Sequence, residues 1–165
     1  MPIYMNWGGT IPPAIKGDVT DGDHLGWIEL SSAQFSSRAP IARNEGTPKA
    51  SEPRISEITV TKVHDAASGT LFRESLQGNG TIVIIDFVKT TTGKPQVYLS
   101  ITLSDAMISS YSMSGKPNAQ GPAMESLTLS ATKIQYGPAA GVQPHDDPIP
   151  NQNPGSWHLG APTAS

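Results

Sequence analysis

Hydrophobic and polar positions alternate along most of this chain with the two-residue period of a β-strand, and between Arg54 and Val88 that period changes once and changes back. The stretch RISEITVTKVH is rich in β-branched residues, whose stiff side chains suit a pleated surface. In DAASGTLFRESLQGNG, Leu71, Phe72, Ser75 and Leu76 fall on one face of a 3.6-residue repeat, which predicts a short helix. Asp65 or Ser68 can cap its start, and Gly78 is placed to close its end in a left-handed conformation. TIVIIDFV follows and is apolar on both faces.

The flanking segments read as strands and turns. Ile3 to Trp7 predicts a short strand ending at Gly8-Gly9, and Ile11 to Gly22, punctuated by Pro12, Pro13 and Gly17, predicts a loop. HLGWIELSSAQFSSRAP predicts a longer extended segment. Ile28 and Leu30 share one of its faces and Trp27, Ala33 and Phe35 the other, so a bulge or bend is expected near Ser31-Ser32. Pro40 to Pro53 reads as a second loop, either functional or mobile. QVYLSITLSD is the cleanest alternation: Val97, Leu99, Ile101 and Leu103 point one way, and Tyr98, Ser100, Thr102 and Ser104 the other. AMISSYSMSG continues it through a further bend, and ESLTLSATKIQY is the last predicted strand, with Leu127, Leu129 and Ala131 inward.

From Pro138 the pattern stops. The remaining segment is dense in Pro, Gly, Asn and Ala and offers too little apolar area to offset its ordering entropy. The expectation is one folded domain over residues 1–137 and a Pro/Gly-rich tail over 138–165, disordered or loosely docked. Several strands and one helix in a core of that size suggest two packed sheets or a closed barrel, with the helix covering an edge or an open end.

Composition sharpens this picture. Hydrophobic residues make up 36% and charged residues 15%, with 16 Gly and 15 Pro filling the difference, a mix suited to short strands and turns. The net charge is −3 and the basic residues, Lys16, Arg38, Arg43, Lys49, Arg54 and Lys62 among them, are scattered, so they read as solvated surface and no nucleic-acid-binding face is expected. Cysteine is absent, so the fold needs no disulfide and is indifferent to redox compartment. The first residues carry no cationic start or continuous apolar run, and no segment approaches the ~20 apolar residues of a membrane helix. The expectation is a cytoplasmic, soluble protein without membrane insertion.

Candidate chemistry is sparse. Asp18, Asp21, Asp23 and His24 place hard ligands close together as calcium would need, but the spacing is not that of an EF-hand and a polar turn explains them. His64 beside Asp65 could orient a base, yet no G-x-S-x-G elbow accompanies the pair. Gly78 and Gly80 follow a helix where a phosphate loop would precede one, and the Walker lysine is missing. His145 to Asp147 lies in the predicted tail, where nothing would pre-organise a site, and Trp157 is a lone aromatic there, a short docking motif or a passive residue. No catalytic residue, metal or cofactor is expected.

The segments ISEITVTKVHDAASGTLFRESLQG, TIVIIDFVKT, VYLSITLSDAMISSYS and ESLTLSATKIQY, with IYMNWGGTIPPAIKGDVT and HLGWIELSS before them, together resemble the haemolysin-coregulated protein (Hcp) family, the tube subunit of bacterial type VI secretion systems. The likeness runs from about Ile3 to Tyr136 in order and spacing; the tail does not share it. The resemblance implies a mainly β fold, a small two-sheet β-barrel with one flanking α-helix. It also implies a non-enzymatic role in sixfold homo-oligomeric rings that stack into a tube, tipped by a spike protein and driven by a contractile sheath. The tube would carry effector proteins and leave the cytoplasm without a signal peptide. On that reading the wet faces of strands such as ITVTK and LTLSATK are candidate ring contacts. The Pro40 to Pro53 segment, with Arg43, Glu45, Lys49 and Glu52, is the candidate ring-stacking loop, and its charges predict salt-sensitive contact. The alternative reading is a monomeric, secreted β-barrel binding module.

Overall fold

The computed structural model describes residues 1–38, 41–44, 46–50, 54–138 and 155–158. Alternating β-branched and aromatic positions extend the chain into strands β1 (Ile3–Trp7), β2 (Ile28–Leu30), β3 (Ser32–Gln34), β4 (Ser37–Arg38), β5 (Ile41–Asn44), β6 (Thr47–Ala50), β7 (Arg54–Ile55) and β8 (Ile58–Val63). Helix α1 (Ser68–Gln77) follows, then β9 (Thr81–Thr91), β10 (Lys94–Ser114), β11 (Met124–Ser130), β12 (Lys133–Gly137) and β13 (Gly155–His158). The protein is thus mainly β with one α-helix among the described residues.

The expected two-sheet barrel is not what forms. One antiparallel sheet of nine strands runs in the order β2-β1-β9-β10-β11-β8-β3, with β12 and β13 added beside β10, and its hydrogen-bonded path is open. The reason lies in β10. Its 21 residues pair with β9 and β12 through the first half and with β11 through the second, so a single strand belongs to both halves of the sheet. The inward set changes from Ile101 and Leu103 to Ala106 and Ile108 across Asp105, which adopts φ 50° at a register shift. The extra residue bends the strand and keeps both halves facing one core. The two end strands, β2 and β3, are consecutive in the chain with only Ser31 between them, and the Ser31 N–H bonds the Thr61 carbonyl at 2.7 Å. The expected bend at Ser31-Ser32 is therefore the point where the sheet's two ends meet, and the long segment around it is three short strands.

Side chains from β1, β2, β8, β9, β10 and β11 fill the core, including Met5, Ile28, Val60, Val83, Leu103 and Leu127, all without exposure. Gly17 lies where a Cβ would run into the Trp27 carbonyl and Ile28, so the loop after β1 can close onto β2 only with glycine. The predicted final strand is two, β11 and β12, broken at Ala131-Thr132; the Thr132 hydroxyl reaches the Asp105 carboxylate at 2.9 Å.

Other details differ from expectation. The segment expected as a loop contains a hairpin: β5 pairs with β6 from Ile41↔Ala50 to Asn44↔Thr47, and Gly46 turns at φ 84°. Pro48 lies within β6, where both strands of a two-stranded ribbon are edges and a missing N–H is tolerated. Gly78 ends the helix in extended backbone (φ −72°, ψ 151°), not left-handed, with its N–H on the Glu74 carbonyl at 2.8 Å. Of the apolar helix stripe only Leu71 is buried; Phe72 is 50% and Leu76 72% exposed. Within the segment 138–165, Gly155–His158 pairs with β12, with Trp157 opposite Ile134. His145 to Asp147 lie outside the described residues.

Leu71 anchors the helix to the sheet, so Leu71→Ala is expected to cost about 2–5 kcal/mol in urea unfolding, as other buried leucines do on truncation. Leu71→Asp, which places a charge in the core, is expected to abolish the cooperative transition.

Candidate functional site

The strand alternation carries two charged residues into the interior. Ile58, Val60 and Lys62 share the inner face of β8, and Glu125, Leu127 and Leu129 share that of β11; Lys62 and Glu125 are direct partners in the ladder. Lys62, expected on the solvated surface, is fully buried. Its Nζ donates to Glu125 Oε2 at 2.6 Å and to Ser68 Oγ at 3.0 Å, and pairs with Asp65 Oδ1 at 2.8 Å. Ser68 Oγ donates to the same Glu125 oxygen at 2.6 Å, and the Tyr111 hydroxyl donates to Oε1.

This junction also starts the helix. The Ala67 N–H donates to Asp65 Oδ1 at 2.9 Å, and the Asp65 N–H donates to Ser68 Oγ at 2.9 Å, a reciprocal cap in which both expected residues act together. Asp65 is thereby committed to Lys62 and the helix start. His64 beside it is 60% exposed at its side chain, and its Nδ1 stands 3.9 Å from Glu125 Oε1, so no His–Asp base assembles.

A second polar cluster lies across β9. His24 is buried in the turn Gly22–His24, with Nε2 3.0 Å from Asp86 Oδ2, and Ser100 Oγ donates to Asp86 Oδ1 at 2.7 Å. Tyr4 and Trp27 flank the imidazole at ring separations of 4.9 and 4.7 Å. Serine, aspartate and histidine are present in the wrong order for nucleophilic catalysis: the carboxylate sits between the other two, so no base contacts the hydroxyl. The cluster fastens the loop before β2 to β9. Asp18, Glu29, His64 and Asp65 do meet around a cleft of about 380 Å³, but Asp21, Asp23 and His24 lie apart from it. No group of three or more His, Asp or Glu able to hold a metal ion occurs among the described residues. No helix among them is long and apolar enough to cross a membrane.

What the junction presents outward is apolar. With α1 fixed at its start, Phe72 packs on Tyr111 at a ring separation of 5.5 Å and leaves half its surface free; Leu76 one turn on and Met113 two residues along β10 are 72% and 61% exposed. A single exposed leucine means little; here several exposed apolar side chains are grouped on one helix and its supporting strand. Of the candidate stacking residues, Arg43 lies in β5 opposite Pro48 and Lys49 in β6 opposite Ala42, while Glu45 and Glu52 lie outside the described residues.

Comparison with known proteins agrees with this architecture. Residues 4–137 match the family model described as "Type VI secretion system effector, Hcp". A search of curated proteins finds no match. Among solved structures, the chain is similar to a type six secretion system protein (TM-score 0.76, 20% identity, 96% of this chain and 95% of the other). It is also similar to the Hcp1 protein of E. coli EAEC 042 (TM-score 0.74, 18% identity, 96% and 98%) and to the secreted protein Hcp3 of Pseudomonas aeruginosa (TM-score 0.64, 19% identity, 96% and 99%).

The junction should dominate the pH response of stability. Burial alone would push the Glu125 carboxyl up, but hydrogen bonds from Lys62, Ser68 and Tyr111, with the Lys62 charge, hold it below the usual carboxylate range. Its contribution is therefore complete above that range and lost as pH falls through the lowered value. Burial, then the hydrogen bond and charge of Glu125 and the charge of Asp65, raise the Tyr111 hydroxyl, so that contribution holds below about pH 10 and fades above it. Glu125→Leu removes the buried partner of Lys62 and leaves its charge to Asp65 alone; it is expected to cost about 3–5 kcal/mol, while Lys62→Met/Glu125→Leu together should recover a large part of that loss in denaturant titrations. A double variant as unstable as the single would show that the two charges are not coupled. The acid limb of melting temperature against pH should flatten in both.

Proposed function

The chain belongs to the Hcp family of type VI secretion system effectors, and from that premise we propose that it is a tube subunit, acting by fit against copies of itself and not by catalysis. The observation that carries this reading is the apolar surface of α1 and β10, where Phe72, Leu76 and Met113 stand exposed on elements locked in place from below. A closed ring needs two different patches per subunit, one on each flank, whose relative rotation sets the number that close. The helix flank supplies one of them. The Thr- and Ser-rich outer faces of β8 and β11 supply the other, polar enough to keep the free subunit in solution. Six copies per ring is what the family resemblance implies, and the sheets of the six subunits would then line the lumen.

Stacking of rings into a tube falls to the β5–β6 hairpin, with Arg43 and Lys49 on its two strands and Glu45 and Glu52 near them in sequence. A polar stacking contact lets a tube assemble and later come apart, as a dry obligate interface would not. In this role the tube would carry effectors in its lumen, meet a spike protein at its tip and a contractile sheath outside it, and leave the cell with the cargo. The alternative, a monomeric secreted binding module, draws on the acid-lined cleft at Asp18, Glu29 and Asp65. Solitary chains that retain ligand there would favour it.

Electron micrographs of the purified protein are expected to show rings. Leu76→Glu should leave the melting temperature within a few degrees of the parent, because the residue is exposed, and should shift the protein to monomers; rings unaffected by it would remove the helix from the contact. Raising ionic strength to about 1 M, where charges are screened beyond about 3 Å, should disperse stacks into single rings, as should reversing both charges in Arg43→Glu/Lys49→Glu. Stacks indifferent to salt and to charge reversal would exclude the hairpin contact.

A further inference from the structure

The last strand is joined to its partner by far more chain than the pairing requires. β13 runs antiparallel along β12, with Tyr136 opposite Gly155 and Lys133 opposite His158. Strands paired in this way are ordinarily joined by about two to five residues. Here seventeen residues, 138 to 154, separate the end of β12 from the start of β13. Fully extended, seventeen residues reach at most about 60 Å. A folded domain of residues 1–137 has an expected radius of gyration near 14 Å, so two touching copies have centres about 37 Å apart. The tether can therefore deliver β13 to the β12 of an adjacent copy.

The energetics permit the exchange. β12 is bonded to β10 on one side, and β13 is what occupies its other edge. A four-residue strand makes the same ladder on any copy of β12, so own-chain and neighbour docking differ only in the tether, which is the condition for low-cost strand swapping. Closing the loop within one chain carries an entropy cost that grows with its length. In an assembly, a neighbour's edge is presented at high effective concentration. We propose that Gly155–His158 is an exchangeable arm that docks on β12 of a neighbouring copy and so ties adjacent subunits together. This rests on the self-assembly reading above.

The absence of cysteine from the chain makes the test clean. Gln135 and Ser156 are Cα partners in the ladder, a placement that suits a disulfide between cysteines there. Full-length Gln135→Cys and Ser156→Cys chains carrying tags of different mass are co-expressed, oxidised mildly and run on non-reducing gels, with native mass measurement on the same sample. The expected result is a covalent heterodimer from the mixed single variants, and a ladder of linked chains from the double variant. Replacing residues 139–154 by a three-residue turn in the double variant should abolish the ladder and leave the link within each chain. Assemblies in which the mixed chains never link and the double variant closes only on itself would overturn the arm while leaving self-assembly intact; solitary chains throughout would overturn both.

Discussion

One buried contact, Lys62 on Glu125, decides where the helix can sit. The two residues face each other across the β8–β11 ladder, and neither reaches solvent. Burying two charges is costly, and a pair of this kind is no proof of stability. What it supplies here is position. Its side-chain partners come from the start of α1 and from β10, where Asp65, Ser68 and Tyr111 each bond to one of the two charges, and the Val63 carbonyl of β8 also accepts from Lys62. A helix displaced by one turn would strip the buried pair of Asp65 and Ser68 and leave its remaining polar valences unsatisfied in the core, so the alternatives are more expensive than the native arrangement.

That placement connects the interior to the surface. Leu71 enters the core beside the junction, and the rest of the apolar stripe is turned outward. A helix that used its whole hydrophobic face to hold itself down would present only polar residues. Because charged and hydroxyl groups secure its first turn, Phe72 and Leu76 can stay exposed. The same economy applies at β10, whose bend at Asp105 lets one strand serve both halves of the sheet and then carry Met113 to the helix flank. The cost of this design is an apolar surface left facing solvent in the single chain.

Much of the fold was legible in the sequence because it is written in periods. The alternation through Ile101 and Leu103, the helical repeat through Leu71, and the bend near Ser31 all follow from side-chain direction. The resemblance to the Hcp family was legible for the same reason, since it is carried by those segments. The junction was legible in principle and was missed: Lys62 continues the inward set Ile58–Val60, and Glu125 opens the set Leu127–Leu129, so opposite charges ended two inward faces. Residue type suggested surface, and register outweighed it. The β5–β6 hairpin was hidden by Pro48, which a two-stranded ribbon tolerates. Gly78 was read as a left-handed cap, but its N–H stays on Glu74 and the chain leaves the helix extended. Asp86 stood in an apolar run, and its partners His24 and Ser100 are distant in sequence, so no local pattern could have joined them.

If a helix fixed by buried charges offers its outer face to a second copy of the chain, association must shield that face. Hydrogen–deuterium exchange read by mass spectrometry, at concentrations below and above assembly, tests it directly. Exchange in peptides covering Ser68–Gln77 and the second half of β10 is expected to slow once copies associate. Assembly that leaves exchange in those peptides unchanged, with protection gained elsewhere, would contradict it.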